Sequence, residues 1–224
     1  MREIERFRLS TRFLHWTVAA SALLLALTGI LLWVPAWGAA AVGGWSRLLH
    51  RIAAVIFMAA PLLYALFNWR LSLSFVKEAF TWGKEDMGWF QAAPDYYFGG
   101  DESKMPPQDH INTGQKLYQL VSILCSAAFF LTGLLMWFFR ELLPIEVFRW
   151  AVIVHDIAFI LGGSMVLLHI YLGAIHPRMT ESLRSMVTGK ASVEYVKSHH
   201  RKWFERVIRA TEGESPQGPD SKAA

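Results

Sequence analysis

Four apolar runs constrain this chain more than any other feature. Residues 13–34, 48–68, 117–139 and 150–175 are each long enough, as helices, to cross a hydrocarbon core of about 30 Å, which takes about 20 residues. A helix satisfies its own backbone in lipid, so the sequence predicts an all-α integral membrane four-helix bundle. Composition agrees. A chain of 224 residues that is 54% hydrophobic, with ten tryptophans and fifteen phenylalanines, reads as a small polytopic membrane protein rather than a soluble domain. The net charge of +4 lies beside the apolar runs, which makes it a matter of topology and not of nucleic-acid binding. "AWGAAAVGG" after the first run resembles a signal-peptidase site, but the run exceeds the usual signal length and is read as an uncleaved span.

The flanks give the run directions. Arg2, Arg6, Arg8 and Arg12 precede the first span. Arg70, Lys77, Lys84, Lys104 and Lys116 follow the second, and the region after the fourth is rich in Lys and Arg. The positive-inside bias therefore predicts both termini and the long connection 69–116 on the cytoplasmic side. Trp33, Trp37, Trp45, Trp69, Trp137 and Trp150 fall at span ends, where interfacial aromatics belong. Within the connection, "SFVKEAFTWG" predicts a short helix lying on the membrane, with Phe75, Ala79 and Trp82 toward lipid. Residues 192–208 predict an amphipathic surface helix capped by Ser192, so that residues 1–208 form the membrane domain. The remainder, 209–224, has the composition of a disordered tail. No internal repeat is evident.

Imidazoles inside lipid need a reason. His155 and His169 are fourteen residues apart in the fourth span. At about 1.5 Å and about 100° per residue they stand roughly 21 Å apart along the axis but only some 40° apart around it. They share one face at two depths. His15, near the inner end of the first span, matches the depth of His169; His50, near the outer end of the second, matches His155. Each match needs a depth adjustment of roughly 5 Å, within the uncertainty of span ends and tilt. Two histidines on facing helices can ligate one haem iron from both sides, which fills both axial positions and suits electron transfer. Covalent haem is excluded because the single cysteine, Cys125, provides no C-x-x-C-H, and it equally excludes a cysteine-held iron–sulfur cluster. The pairs thus predict two non-covalent b haems with His15 and His169 on one and His50 and His155 on the other. Arg12, Lys116, Arg47 and Arg51 are the cations placed to meet propionates. Gly29, Gly133, Gly162, Gly163 and Gly173 are small enough to pass a porphyrin edge, although small residues also simply let membrane helices touch. The other histidines carry less: His110 lies in the long connection, His176 at a helix end, and His199 and His200 on the polar tail. Asp156 suits an outer salt bridge as well as a cofactor role.

"HINTGQKLYQ" leads into the third span. Asn112 and Gln115 can donate and accept hydrogen bonds, and Gly114 lets a ligand approach the backbone, which is what a quinone head requires. The same residues also make an ordinary helix start, with Asn112 or Thr113 as the cap.

"FLHW" at 13–16, "LLHR" at 48–51, "NTGQK" at 112–116, the paired histidines of the fourth span and the tail "YVKSHHRKWFERV" together resemble the cytochrome b (γ) subunits of membrane-bound formate dehydrogenases. These belong to the wider family of di-haem b subunits of respiratory oxidoreductases. The resemblance covers roughly residues 5–208; it departs at Ile111, where the family usually has an aromatic residue. It implies two b haems on the four histidines and a quinone, menaquinone or ubiquinone, near Asn112, Gly114, Gln115 and His169. It also implies an iron–sulfur electron-transfer subunit and a molybdenum or tungsten formate dehydrogenase catalytic subunit as partners. The same scaffold serves the cytochrome b of nickel–iron hydrogenases. A non-redox membrane anchor or transporter, with histidines in hydrogen bonds or proton relays, is the reading of another class.

Overall fold

The computed structural model describes residues 2–37, 44–99 and 104–212. Four of its helices are long and apolar enough to cross a membrane. They are α1 (Leu9–Trp33), α2 (Trp45–Phe67), α5 (Thr113–Phe138) and α6 (Ile145–Ile170, continued by a π turn to Ile175). Three of them start three to five residues earlier than hydropathy predicts and α1 four earlier, because polar first turns such as Leu9–Arg12 continue the helix past the apolar stretch. Pro35 ends α1, since proline has no N–H to donate and clashes with the preceding turn. Pro61 sits inside α2 without breaking it, as membrane helices tolerate. The outward faces carry Leu23, Leu27, Leu63, Leu131, Ile157 and Leu167 exposed, and Trp33, Trp45, Trp69 and Trp150 are exposed at the ends. That surface is matched to lipid tails with an aromatic belt.

The bundle is two hairpins. α1 packs along α2 and α5 along α6, and most of the helix–helix contact lies within these pairs. Between the hairpins run α3 (Trp69–Ala79) and α4 (Lys84–Tyr97). Ala79 and Trp82 do not face lipid as predicted. Ala79 is fully buried, and Trp82 stacks on Phe90 beneath the Lys116 ammonium. Phe75 is half exposed, as expected of a lipid-facing residue. The α3 face toward α5 is fixed instead by Gln119, whose amide donates to the Phe75 carbonyl.

After the π turn come α7 (Thr180–Thr188), strand β2 (Lys190–Ser192), α8 (Val193–His199) and α9 (Arg201–Glu212). The tail is therefore two helices where one was predicted, with the break at His200. Ser192 does cap α8, its hydroxyl accepting from the Tyr195 N–H. The tail's apolar face is not spread on a membrane. Ala191, Tyr195, Val196 and Trp203 form a buried cluster with Ile4, Phe204 and Val207. Ile4 arrives on β1 (Glu3–Glu5), which pairs antiparallel with β2 through Glu3↔Ser192, Ile4↔Ala191 and Glu5↔Lys190. This small ribbon is the one β element among the described residues, and nothing local in "EIE" announces it. Gly189 makes it possible: it ends α7 at φ 88°, and a Cβ there would lie 2.8 Å from the Phe7 carbonyl oxygen. Of the segment 209–224 predicted to be disordered, residues 209–212 instead continue α9, and the rest lies outside the described residues.

His200 is not on a polar surface; it is 1% exposed. Its Nδ1–H donates to the Asp109 carbonyl at 2.6 Å, and its Nε2 accepts from the Arg6 guanidinium at 2.8 Å. Arg6 also reaches the His110 carbonyl, and the His110 ring returns a bond to the Arg6 carbonyl. Burial, and then the Arg6 charge, hold the His200 imidazole well below its ordinary protonation range. The unfolded chain, with a histidine pKa of about 6.5, then takes up the proton first. Stability from this contact is complete above about pH 6.5 and falls as the pH drops, by at most about 1.4 kcal/mol per pH unit. Hydrogen exchange in α8 and α9, corrected for intrinsic rates, should accelerate between pH 7 and pH 5. A His200→Asn variant should lose that dependence.

A candidate two-haem site

The four intramembrane histidines meet in two pairs. The rings of His15 (α1) and His169 (α6) have centroids 6.3 Å apart, and those of His50 (α2) and His155 (α6) 6.4 Å apart. Helix phase together with depth in the spans pairs them the same way. His15 and His169 lie at the end of the bundle that carries both described termini and helices α3 and α4; His50 and His155 lie toward the other end.

The separations have a chemical meaning. Two imidazoles on opposite sides of one metal, with bonds of roughly 2 Å and about 1.2 Å from nitrogen to ring centre, stand roughly 6.4 Å apart. Among the described residues no three His, Cys, Asp or Glu side chains converge on one point. Paired histidines alone suit a metal that brings its own equatorial ligands, as haem iron does. The residues present therefore fit that group.

Hydrogen bonds decide which ring nitrogen is free at one pair. The Thr28 hydroxyl lies 2.9 Å from His50 Nδ1, but its shortest contact is the Leu24 carbonyl at 2.7 Å. Assigning its single proton to that carbonyl leaves the oxygen to accept from the ring. The Thr132 hydroxyl does the same for His155, 2.8 Å from Nδ1 while donating to the Ala128 carbonyl at 2.6 Å. Both rings thus carry the proton on Nδ1 and keep the Nε2 lone pair, which a metal needs. The other pair is built differently. His15 Nδ1 has no hydrogen-bond partner among the described residues, and His169 stacks flat on Tyr118 at 4.2 Å.

Sequence reading missed the two threonines, although a signal was there. "LTGILLW" at 27–33 and "LTGLLMW" at 131–137 are near copies, and their threonines precede His50 and His155 by 22 and 23 residues. The repeat is short and lies at the helix ends, so a search for repeated elements passes over it.

The glycines divide. A Cβ on Gly29 would sit 3.5 Å from the His50 ring and one on Gly162 3.6 Å from Cys125, both ordinary contacts. Gly133, Gly163 and Gly173 have nothing within 4 Å of a would-be Cβ. Three of the four cations expected near propionates have protein partners; Arg47 has none among the described residues. Arg12 donates to the Thr188 carbonyl, Arg51 stacks over Trp137, and Lys116 pairs with Asp86 at 2.9 Å. Burial pushes the Asp86 carboxyl up, but hydrogen bonds from Lys116, Gly83 and Thr113 outweigh it and hold the group below the ordinary carboxylate range.

At the start of α5, Asn112 and Gln115 form a reciprocal cap. Asn112 Oδ1 accepts from the Gln115 N–H and Gln115 Oε1 from the Asn112 N–H. Both acceptor oxygens are engaged, while both amide NH₂ groups lack partners among the described residues and can donate outward. Gly114 does not leave its backbone open as expected: Trp89 covers it, and a Cβ would come within 2.8 Å of that ring.

Comparison with known proteins agrees with this chemistry. The cytochrome b556(Fdn) subunit of the nitrate-inducible formate dehydrogenase of Escherichia coli is 27% identical over 225 residues, covering 96% of this chain and 97% of that protein. A formate dehydrogenase cytochrome b556 subunit of Haemophilus influenzae is 24% identical, covering 92% and 84%. The cytochrome b556(fdo) subunit of Escherichia coli is 23% identical, covering 93% and 95%. The family pattern described as prokaryotic cytochrome b561 matches residues 6–189, so a chain with four membrane-crossing helices and histidines paired across two hairpins belongs to the prokaryotic cytochrome b561 family.

Proposed function

We propose that this chain is the membrane cytochrome b of a formate dehydrogenase complex, conducting electrons from an iron–sulfur partner subunit to a quinone. The observation that carries the reading is the presence of two histidine pairs, each at the spacing of a bis-imidazole site, near opposite ends of one bundle. The names of its relatives supply the complex. Haem b, when bound, supplies one-electron chemistry with no open coordination position. His50 and His155 would hold one haem and His15 and His169 the other; Arg12 lies just before His15 in sequence and Arg47 and Arg51 flank His50, and these with Lys116 are the cations proposed for the propionates.

In this reading both termini are cytoplasmic and the chain sits in the bacterial inner membrane. Electrons enter on the His50–His155 side from a subunit attached to a molybdenum or tungsten catalytic subunit. They leave on the His15–His169 side, where Asn112 and Gln115 offer amide donors to quinone carbonyls. Carrying charge inward against a potential that is negative inside stores about 2.3 kcal/mol per electron per 100 mV.

A pyridine haemochrome assay on the purified complex should give a b-type spectrum with about two haems per copy of this chain, extractable by acid acetone. An iron–sulfur subunit and a formate-oxidising subunit should co-purify. Absence of haem would rule the reading out, and a different catalytic partner, such as a hydrogenase, would replace the complex while keeping the conduit.

A further inference from the structure

We propose that Thr28 and Thr132 are positioning residues that orient His50 and His155 as Nε2 ligands and lower the reduction potential of the haem that this pair binds. The inference rests on the haem reading above and adds to it an asymmetry between the two sites.

Each threonine hydroxyl has one proton, and in both cases its shortest contact, a carbonyl of the preceding turn, is the acceptor assigned to it. The oxygen lone pair then faces imidazole Nδ1 at 2.9 Å and 2.8 Å, and the ring must donate. A ligand imidazole that donates from its far nitrogen becomes a stronger donor to the metal. A stronger donor, with the negative end of a hydroxyl dipole behind it, favours the ferric over the ferrous ion. Both histidines of this pair receive the same support, from opposite hairpins.

The other pair receives none of it. No hydroxyl faces His15 Nδ1 among the described residues, and the neighbour of His169 is the π-face of Tyr118. The repeat "LTG-x-L-x-W" in α1 and α5 has no copy placed toward His15 or His169. The difference is therefore built into the sequence: the His50–His155 haem is made harder to reduce, the His15–His169 haem is not. One-electron transfer from the first to the second runs downhill, with no proton leaving either ring. In the proposed orientation that drive acts against the membrane potential, where it is needed.

The test is a spectroelectrochemical titration of the b haems in the holo-complex. Wild type should titrate as two one-electron components, and His155→Ala identifies the relevant one by its loss. Thr28→Val and Thr132→Val should each raise the potential of that same component. The expected shift in its reduction equilibrium is about tenfold per hydrogen bond, or about 59 mV for one electron. The other component should not move, and Thr28→Ser and Thr132→Ser should restore the wild-type value. If a valine variant loses haem, Thr28→Cys and Thr132→Cys, whose sulfur is a weaker acceptor, should give a smaller shift of the same sign. Two haems with unchanged potentials, a shift in the other component, or serine variants that behave like valine ones would overturn the inference while leaving the haem sites intact. A wild type without two b components would instead overturn the reading beneath it.

Discussion

His155→Ala should yield a complex with one b haem instead of two, and His169→Ala a complex lacking the other. In the proposed reading each substitution removes one of only two protein bonds to its haem iron. The partner histidine, His50 or His15, cannot replace it, because helix geometry leaves the other pair roughly 21 Å away. The loss should be close to complete, not graded. A redox titration should show His50→Ala and His155→Ala deleting the same component, and His15→Ala with His169→Ala the remaining one. Should His15→Ala and His50→Ala remove the same component, the pairing drawn from the ring separations is wrong.

Asn112→Asp should slow quinone reduction by about tenfold to a hundredfold with both haems in place. The aspartate keeps the oxygen that caps α5 by accepting from the Gln115 N–H, so the helix start survives. What disappears is the outward NH₂ donor. Losing a hydrogen bond to a desolvated carbonyl costs about 1–3 kcal/mol, and each 1.36 kcal/mol is a factor of ten in rate. Asn112→Ala adds the loss of the cap itself, roughly another 1 kcal/mol of stability. Stopped-flow oxidation of the reduced haems by a quinone analogue separates the two effects, since only the donor should matter to that rate. If Asn112→Asp matches wild type, the quinone binds elsewhere.

The parts of the molecule that were legible in the sequence are those governed by local periodicity. Hydropathy marked four spans, and helical phase put His155 and His169 on one face at two depths. Those two facts were enough to match His15 with His169 and His50 with His155, as the rings are found. What could not be read depends on partners far apart in the chain. "EIE" becomes a strand only because residues 190–192 lie alongside it. His200 looks like part of a polar tail until Arg6 and Asp109 close around it. Gly114 looks like a place for a ligand until Trp89 covers it. Thr28 and Thr132 are intermediate: their short repeat stands in the sequence but went unread, and its purpose appears only when the next helix brings a histidine to each hydroxyl.

The pairing of β1 with β2 sets an order of assembly. Residues 3–5 are made before the first span and residues 190–192 after all four, so their contact closes a loop that encloses the whole bundle. Such contacts form late, because loop closure must precede any gain from them. Until then Arg6 is a solvated cation, and afterwards it is 6% exposed. All four imidazoles, by contrast, are in the membrane before β2 is made. The bundle can therefore take up its cofactors while the clasp is open. A chain truncated after Thr188 should still insert and still present both histidine pairs, yet lack the ribbon that ties the start of α1 to the exit of α6.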